Sequence, residues 1–179
     1  CVGCEEYKSR DELVEHETGD YAGQLVCAIH SRPVEILKEK NYFFRMSDFQ
    51  QQLLDLYESQ PDFVQPESVR NEIIQFVKQG LEDLSISRSS FDWGIKVPWD
   101  PTHVIYVWFD ALLNYVTAVG YGDPERREEF RRRWPANHLV GKDIARFHAV
   151  IWPAMLMAAG VPVPKSVYEI GSASSRARV

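Results

Sequence analysis

Cysteine is scarce in this sequence, and long hydrophobic runs and an excess of positive charge are absent. Three cysteines among 179 residues allow at most one disulfide. No run of about 18 apolar residues is present, which excludes a transmembrane helix. The formal net charge of −6 argues against a dominant basic surface for nucleic acid, although local patches stay possible. These absences favour a protein that binds neither membrane nor DNA.

The remaining composition is that of an ordinary soluble globular protein, with 45% hydrophobic and 26% charged residues. The length suits one domain or one and a half, and it allows a sizeable core. The chain opens on Cys1 without an initiator Met, and charged residues follow closely, so we expect no signal peptide. The last nine residues, GSASSRARV, are small and polar. We therefore expect a piece of a longer protein that ends in an unstructured or aberrant tail.

The sharpest spacing in the sequence is a pair of metal-knuckle patterns. Cys1 and Cys4 form a Cys-x2-Cys pair, and Cys27 and His30 form a Cys-x2-His pair. Two residues between ligands let one tight turn direct both side chains to a single metal ion. The pattern predicts a structural Zn²⁺ site of Cys3His type with no open coordination position. The alternative is three unrelated thiols, or one disulfide plus an unpaired cysteine.

The segment from 137 to 160 has the pattern of half a nucleotide-binding α/β unit. His138 to Val140 reads as a buried strand, and an apolar helix follows the turn and runs as far as Gly160. Ligands of open parallel sheets bind at the carboxyl ends of the strands, so the turn residues Gly141 and Asp143 are candidates for ligand contact. Such turns also occur for purely structural reasons. Pro153 should kink the helix or mark where its first turn restarts.

A second apolar run, 104–109, is typical of a strand buried on both faces of a parallel sheet. We expect Asp110 to end this strand and to cap a helix that runs from Ala111 to about Ala118. Four residues gather at this corner and form either a set of core side chains or a hydrophobic pocket at the end of a strand. They are Trp108, Ala111, Leu112 and Tyr115.

The segments between these motifs read mainly as packing elements. Ser47 is expected to cap a helix that ends at Ser59, and a second helix is expected from Pro66 to Gly80. Leu84 to Arg88 reads as extended, with Arg88 either a surface charge or an anion contact. The charge-rich run 124–133 favours a solvated helix face over a patch that contacts nucleic acid.

In this order and spacing, the segments resemble methionyl-tRNA synthetases, which are class I aminoacyl-tRNA synthetases. The resemblance covers roughly residues 1–170, and it is carried by CVGCEEY with the later CAIH, NYFFRMS, LSISR, IYVWFDALLNYVTA, HLVGKDIARFHAVIWPAMLMAAG and PKS. It implies an α/β fold, part of a Rossmann-type nucleotide-binding catalytic domain that carries a small zinc-binding connective insertion. The implied divisions are 1–45 for the zinc knuckle, 46–103 for a helical connection, 104–170 for the incomplete second Rossmann half and 171–179 for the tail.

The resemblance also assigns residues. Gly141 and Asp143 match the family's adenosine-binding turn, and Arg88 lies in a segment that the family places near the active site. Cys1, Cys4, Cys27 and His30 match its zinc knuckle. The methionine pocket is implied on seven residues, which are Trp108, Ala111, Leu112, Tyr115, Ile144, Phe147 and His148. Aromatic walls suit a polarizable thioether.

The implied activity is ATP-dependent activation of L-methionine to methionyl-adenylate, followed by transfer of the methionyl group to tRNA(Met). ATP is the implied substrate and binds together with Mg²⁺. The implied compartment is the cytoplasm, with an organelle as the alternative. Two signatures of the family, His-Ile-Gly-His and Lys-Met-Ser-Lys-Ser, do not occur in the sequence. They supply most of the charge stabilisation at the phosphates, so we expect this chain to be inactive alone. The alternative is a truncated, zinc-bearing binding module without catalysis.

Overall fold

The computed structural model describes residues 1, 10–16, 19–34, 40–90 and 92–171. The chain divides into two compact units, residues 1–39 (unit 1) and residues 40–179 (unit 2). Among the described residues, no helix combines the length and the apolar character that crossing a membrane would need.

The strands of the described residues, in chain order, are β1 (Leu13–Glu15), β2 (Leu25–Cys27), β3 (Phe43–Phe44), β4 (Val64–Gln65), β5 (Leu84–Ser85), β6 (Ser87–Arg88), β7 (Lys96–Val97), β8 (Asp100–Ile105), β9 (Asn137–Gly141) and β10 (Ser166–Ile170). The α-helices are α1 (Gln50–Ser59), α2 (Glu67–Lys78), α3 (Val107–Thr117), α4 (Arg127–Arg133) and α5 (Trp152–Ala158). Short 3-10 turns and one π-helical segment, Phe147–Ile151, complete the regular structure.

A three-stranded parallel sheet in the order β4-β10-β9 organises unit 2. Val167 of the central strand lies opposite Val64 on one side and His138 on the other. At its carboxyl end, Ile170 lies opposite Gly141. The predicted strand at 138–140 is therefore confirmed, and Gly141 lies at the carboxyl end of the sheet, where ligands of such folds bind.

Two clusters of buried side chains fill unit 2. The first joins α1 and α2 to the sheet, and its fully buried members include Leu53, Ile73 and Val77. Ile73 and Val77 lie four residues apart on α2, Glu67–Lys78, which confirms the helix predicted from Pro66 to Gly80 with slightly shorter bounds. The helix α1 ends at Ser59, as predicted. The second cluster forms around α3 and α5, with Leu112, Val116, Trp134 and Trp152 among its members. The first cluster therefore covers one face of the sheet by hydrophobic burial, through Val64, Val140 and Val167.

The prediction for 104–109 is wrong. The strand β8 ends at Ile105, it pairs antiparallel with β6 and β7, and α3 begins at Val107. Asp110 lies in the first turn of α3, and Tyr106 holds the N-cap position. A short apolar run has no periodicity that separates a strand from a buried helix. Leu112 and Val116 are both buried, and their spacing of four residues places them on one face of a helix.

Ser47 is not the cap of α1. A 3-10 turn, Met46–Phe49, precedes the helix, and Phe49 takes the N-cap position. The Ser47 hydroxyl instead donates to Asp83 Oδ1 at 2.6 Å. Because the Ser47 hydroxyl is used in this hydrogen bond, it does not cap α1. The general preference of serine for N-cap positions therefore does not determine where this helix begins.

The structure decides between the alternatives that the sequence left open for Pro153 in α5 and for the charged helix α4. Pro153 stands in the first turn of α5, directly after the π-helical segment Phe147–Ile151, so the helix restarts there. Proline lacks a backbone N–H, which suits the first turn. The helix α4 has no buried residue and carries ion pairs such as Arg131–Glu128 at 2.6 Å, as expected for a solvated face.

Candidate functional site

The turn after β9 presents Gly141 and Asp143 to solvent. Gly141 has φ −73° and ψ 162°, an extended conformation that any residue adopts. A Cβ built on Gly141 would meet no heavy atom within 4 Å. Neither backbone strain nor a neighbouring side chain therefore requires glycine here. A group that approaches the backbone from solvent would require it, and the Asp143 carboxylate lies two residues further along the same exposed turn.

An aromatic wall joins α3 to the segment after this turn. The rings of Trp108 and Phe147 are stacked, with centroids 4.9 Å apart and an interplanar angle of 29°. Trp108 remains 42% exposed, although it is a large apolar side chain. An exposed indole stacked on a second ring offers an apolar surface of the kind that ligand pockets use.

A polar pair is formed by Tyr115, about two helical turns after Trp108 on α3, and His148, the residue that follows Phe147. The Tyr115 hydroxyl and His148 Nε2 are 2.8 Å apart, and His148 Nδ1 is 2.8 Å from the Ile144 carbonyl oxygen. A carbonyl only accepts, so Nδ1 carries the proton and Nε2 of the neutral ring accepts from Tyr115. The arrangement fixes one tautomer of His148 and orients the Tyr115 hydroxyl.

The electrostatics keep this pair uncharged. Burial lowers the pKa of His148, and the hydrogen bond to the Ile144 carbonyl acts in the opposite direction. Burial raises the pKa of Tyr115, which keeps its hydroxyl protonated and able to donate. Two neutral polar groups beside an aromatic wall can recognise a neutral, polarizable side chain better than a charged one.

The other predicted pocket residues are placed differently. Leu112 is 3% exposed and belongs to the second core cluster with Trp134 and Trp152. Ile144 is half-buried and packs against the first cluster, while Ala111 lies on the exposed side of α3. The structure therefore pairs Trp108 with Phe147 and Tyr115 with His148, and it places Leu112 in the second core cluster.

Sequence reasoning missed two residues that contact Tyr115. The His138 ring lies 4.4 Å from the Tyr115 ring, at an interplanar angle of 63°, and Trp152 lies at 6.2 Å. Trp152 Nε1 donates to His138 Nε2 at 3.3 Å. The available signal was the alternation of β9, which places His138 on the same inward face as Val140. A histidine at an inward position is a buried polar group, and such groups are informative.

Arg88 is held by neighbouring serines of the chain and by an aromatic ring. Its Nη1 donates to Ser85 Oγ at 3.0 Å and to the Ser87 carbonyl at 2.8 Å. The guanidinium lies over the Tyr106 ring, 4.3 Å from the centroid. These contacts fix the cation beside the residue that precedes α3, the helix that carries Trp108 and Tyr115.

A cavity of about 260 Å³ opens beside the turn, on the side of α2. It is lined by Val69, Glu72, Ile73, Lys142, Asp143, Ala145, Arg146 and Glu169. Arg146 and Glu72 form an ion pair across it at 3.3 Å. Asp143 therefore faces a concave surface, separate from the aromatic wall.

In unit 1, three of the four predicted metal ligands converge. Cys1, Cys27 and His30 offer ligand atoms that all lie within 4.8 Å of one another. His30 Nδ1 is 3.9 Å from Cys1 Sγ and 4.0 Å from Cys27 Sγ. In a tetrahedral zinc site, thiolate and imidazole ligand atoms lie about 3.6 Å apart. The three residues therefore fit a zinc ion, while Cys4 lies outside the described residues.

Comparison with known proteins identifies the family. The family model "tRNA synthetases class I (M)" matches residues 1–174. A methionine–tRNA ligase of Streptomyces coelicolor is 64% identical over 168 residues, which cover 93% of this chain and 31% of that protein. A methionine–tRNA ligase of Caldanaerobacter subterraneus is 55% identical over 172 residues, 96% of this chain and 25% of that protein.

A solved structure agrees in fold. Mycobacterium tuberculosis methionyl-tRNA synthetase in complex with methionyl-adenylate superposes with a TM-score of 0.84 at 47% identity, covering 95% of this chain and 32% of that one. The chain thus spans about a third of the length of these relatives and has the α/β, Rossmann-like fold of their catalytic domain. The chain belongs to the methionyl-tRNA synthetase family of class I aminoacyl-tRNA synthetases.

Proposed function

We propose that the full-length protein that contains this chain is a methionine–tRNA ligase, and that this chain supplies its methionine pocket and part of its ATP site. The observation that carries the proposal is the stacked Trp108–Phe147 wall beside the Tyr115–His148 hydrogen bond. Aromatic rings make favourable contacts with a thioether sulfur about 5 Å away. A neutral polar pair at the end of such a pocket adds selection for shape and polarity.

In the proposed reaction, the methionine carboxylate attacks the α-phosphate of ATP, and pyrophosphate leaves as the acyl-phosphate bond forms. A ribose hydroxyl at the 3′ end of tRNA(Met) then attacks the acyl carbon, and AMP leaves. In this chain, Trp108 and Phe147 would hold the side chain, while the Gly141 backbone and the Asp143 carboxylate would contact the ribose. Ala111, Leu112 and Ile144 would complete the walls, and Arg88 would support the corner before α3. These roles position the reactants and exclude water.

Zn²⁺ is the proposed structural metal of unit 1. Cys1, Cys27 and His30, together with Cys4, would supply four ligands and leave no coordination position for substrate. The ion would cross-link the ends of a small unit and take no part in catalysis. Thiolate ligands persist in a reducing compartment, which supports the cytoplasm as the proposed place of action.

We further propose that residues 1–45 form the connective insertion, 46–103 the helical connection and 104–170 the second half of the catalytic domain. Residues 172–179 of the predicted tail lie outside the described residues. The charge stabilisation at the phosphates, by Mg²⁺ and by the two signatures that this sequence does not contain, would come from the rest of the protein.

Methionine-dependent ATP–pyrophosphate exchange tests the proposal. The full-length protein should exchange with L-methionine and with no other protein amino acid at equal concentration. The 179-residue chain, loaded with zinc, should show no exchange. Absence of methionine-dependent exchange in the full-length protein would contradict the proposal.

A second candidate is a zinc-bearing binding module without catalysis, which the convergence of Cys1, Cys27 and His30 in unit 1 favours for the chain alone. It predicts that the folded 179-residue chain binds methionine or tRNA(Met) without turnover. Isothermal titration with each ligand separates this candidate from an inert piece of the enzyme.

A further inference from the structure

His138 is a buried polar residue to which the proposed chemistry gives no role. It is 5% exposed and lies inside β9, among side chains of α3 and α5. Its ring has four ring neighbours in the described chain, which are Tyr115, Trp134, His148 and, through a hydrogen bond, Trp152. A buried imidazole is costly unless its nitrogens are satisfied and its ring is used for packing.

The hydrogen bond from Trp152 fixes the state of His138. Indole nitrogen only donates, so His138 Nε2 accepts, and in the neutral ring the proton is on Nδ1. Burial, together with repulsion from His148, lowers the pKa of His138 to about 4. The ring is therefore neutral at pH 7. It is also immobile, because rotation would leave the buried Trp152 N–H without its acceptor.

The fixed His138 ring in turn restrains Tyr115. The two centroids are 4.4 Å apart in an edge-to-face arrangement, which is closer than either of the other ring neighbours of Tyr115, at 5.5 and 6.2 Å. The Tyr115 hydroxyl is anchored at its far end by His148 Nε2. Tyr115 is thus held at its ring by His138 and at its hydroxyl by His148.

We propose that His138 is a positioning residue for methionine specificity: locked by the Trp152 indole, it holds the Tyr115 ring so that the Tyr115–His148 pair faces the thioether in one orientation. The inference rests on the proposed function. His138 acts on this pair through the Tyr115 ring at 4.4 Å and the His148 ring at 5.5 Å, and the proposed role requires no contact with substrate. Its removal should therefore reduce discrimination between side chains more than it reduces the chemical step.

The test compares L-methionine with L-norleucine, which has a methylene in place of the sulfur, in ATP–pyrophosphate exchange by the full-length protein. His138→Phe keeps a flat ring but removes the acceptor for Trp152. We expect KM for methionine to rise about tenfold, with kcat and KM for ATP changed less than about twofold. The ratio of kcat/KM for methionine over norleucine should fall by about the same factor, because norleucine makes no use of the polar pair.

Trp134→Phe is the matched control. It removes the hydrogen bond from the Trp134 indole to the Pro162 carbonyl, 2.7 Å long, in the same core cluster. The phenylalanine keeps an aromatic ring beside His138, and among the described residues no ring contact joins position 134 to Tyr115. This variant should lose thermal stability but keep the methionine-to-norleucine ratio of the wild type. A fall of the ratio in both variants would assign the effect to general loosening and would overturn the inference.

Trp152→Phe tests the same lock from its other side if His138→Phe does not fold. This variant removes the indole N–H that donates to His138 and leaves His138 in place. It should also lower the ratio of kcat/KM for methionine over norleucine. A folded His138→Phe or Trp152→Phe variant with an unchanged ratio would contradict the positioning role while leaving the proposed function intact. Absence of methionine-dependent exchange in the wild type would instead defeat the proposed function itself.

Discussion

The two units of this chain differ in what can hold each of them together. Unit 1 has 39 residues, and its described part buries only Val26 and Cys27 among hydrophobic residues, around the two short strands β1 and β2. Both hydrophobic clusters of the described chain lie in unit 2. Domains below about 40 residues usually need a metal, disulfides or a partner for stability. The comparison indicates that unit 2 relies on burial, whereas unit 1 needs another source of stability, for which we propose a metal ion held by Cys1, Cys27 and His30.

The same comparison extends to the sites. The convergent residues of unit 1 are sulfur and imidazole ligands around one point, suited to an ion. The convergent residues of unit 2 are rings arranged in pairs, suited to an apolar side chain with one polarizable atom. From this difference in donor chemistry we propose a structural metal for unit 1 and a substrate pocket for unit 2.

The largest predicted effect is the loss of metal from unit 1. A chelator, or Cys27→Ser, should abolish the fold of this unit, because structural zinc sites contribute about 10 kcal/mol or more to folding. Hydrogen exchange by mass spectrometry should show loss of protection over 10–34, with α1 and α2 unchanged. Unchanged protection of β1 and β2 in a metal-free sample would contradict the structural-zinc proposal.

A core truncation should have the converse effect on unit 2. Leu53 is 0% exposed, and Leu53→Ala should cost about 3 kcal/mol of the free energy of unfolding of this unit. Hydrogen exchange of the slowest amides of α1 and α2 measures the loss, and protection over 10–34 should not change. Leu54→Ala, at a half-buried position of the same helix, is the matched control and should cost less. Equal losses in the two variants would argue against the described packing.

The smallest of the three effects is a dependence of the free energy of unfolding of unit 2 on pH. The folded pKa of His138, about 4, lies below its ordinary value of 6.5, so the unfolded chain binds more protons between these values. Stability is therefore fully present above pH 6.5 and is lost as the pH falls towards 4. Between pH 7 and pH 5 we expect a loss of about 2 kcal/mol from this residue.

Urea unfolding followed by tryptophan fluorescence measures this loss at each pH. His138→Phe, although less stable at pH 7, should lack the corresponding part of the pH dependence. A variant with the full wild-type pH dependence would show that other groups cause it.

The periodicity of apolar residues was enough to predict the helices that pack the core. It could not predict contacts between side chains that are far apart in the sequence. The spacing of Val69, Ile73 and Val77 is enough to place α2, because burial on one helical face leaves a trace in the sequence. The start of α3 leaves no such trace, since a strand and a helix meet inside one apolar run.

The candidate site shows the same limit. The family resemblance named Tyr115 and His148, which are 33 residues apart, but the hydrogen bond between them depends on how α3 packs against the segment after β9. His138 and Trp152 were missed because a ring in a strand and a ring in an apolar helix read as core. The structure shows that they are core residues that also contact the site.

The most direct test of the methionine pocket is the KM for L-methionine of the full-length protein with Trp108→Ala, measured by ATP–pyrophosphate exchange. Trp93→Ala, the same change at an 83% exposed tryptophan, is the control. The account predicts that Trp108→Ala raises KM for methionine by about tenfold or more, that KM for ATP is nearly unchanged, and that Trp93→Ala behaves as the wild type. An unchanged KM for methionine in a folded Trp108→Ala protein would contradict the pocket assignment.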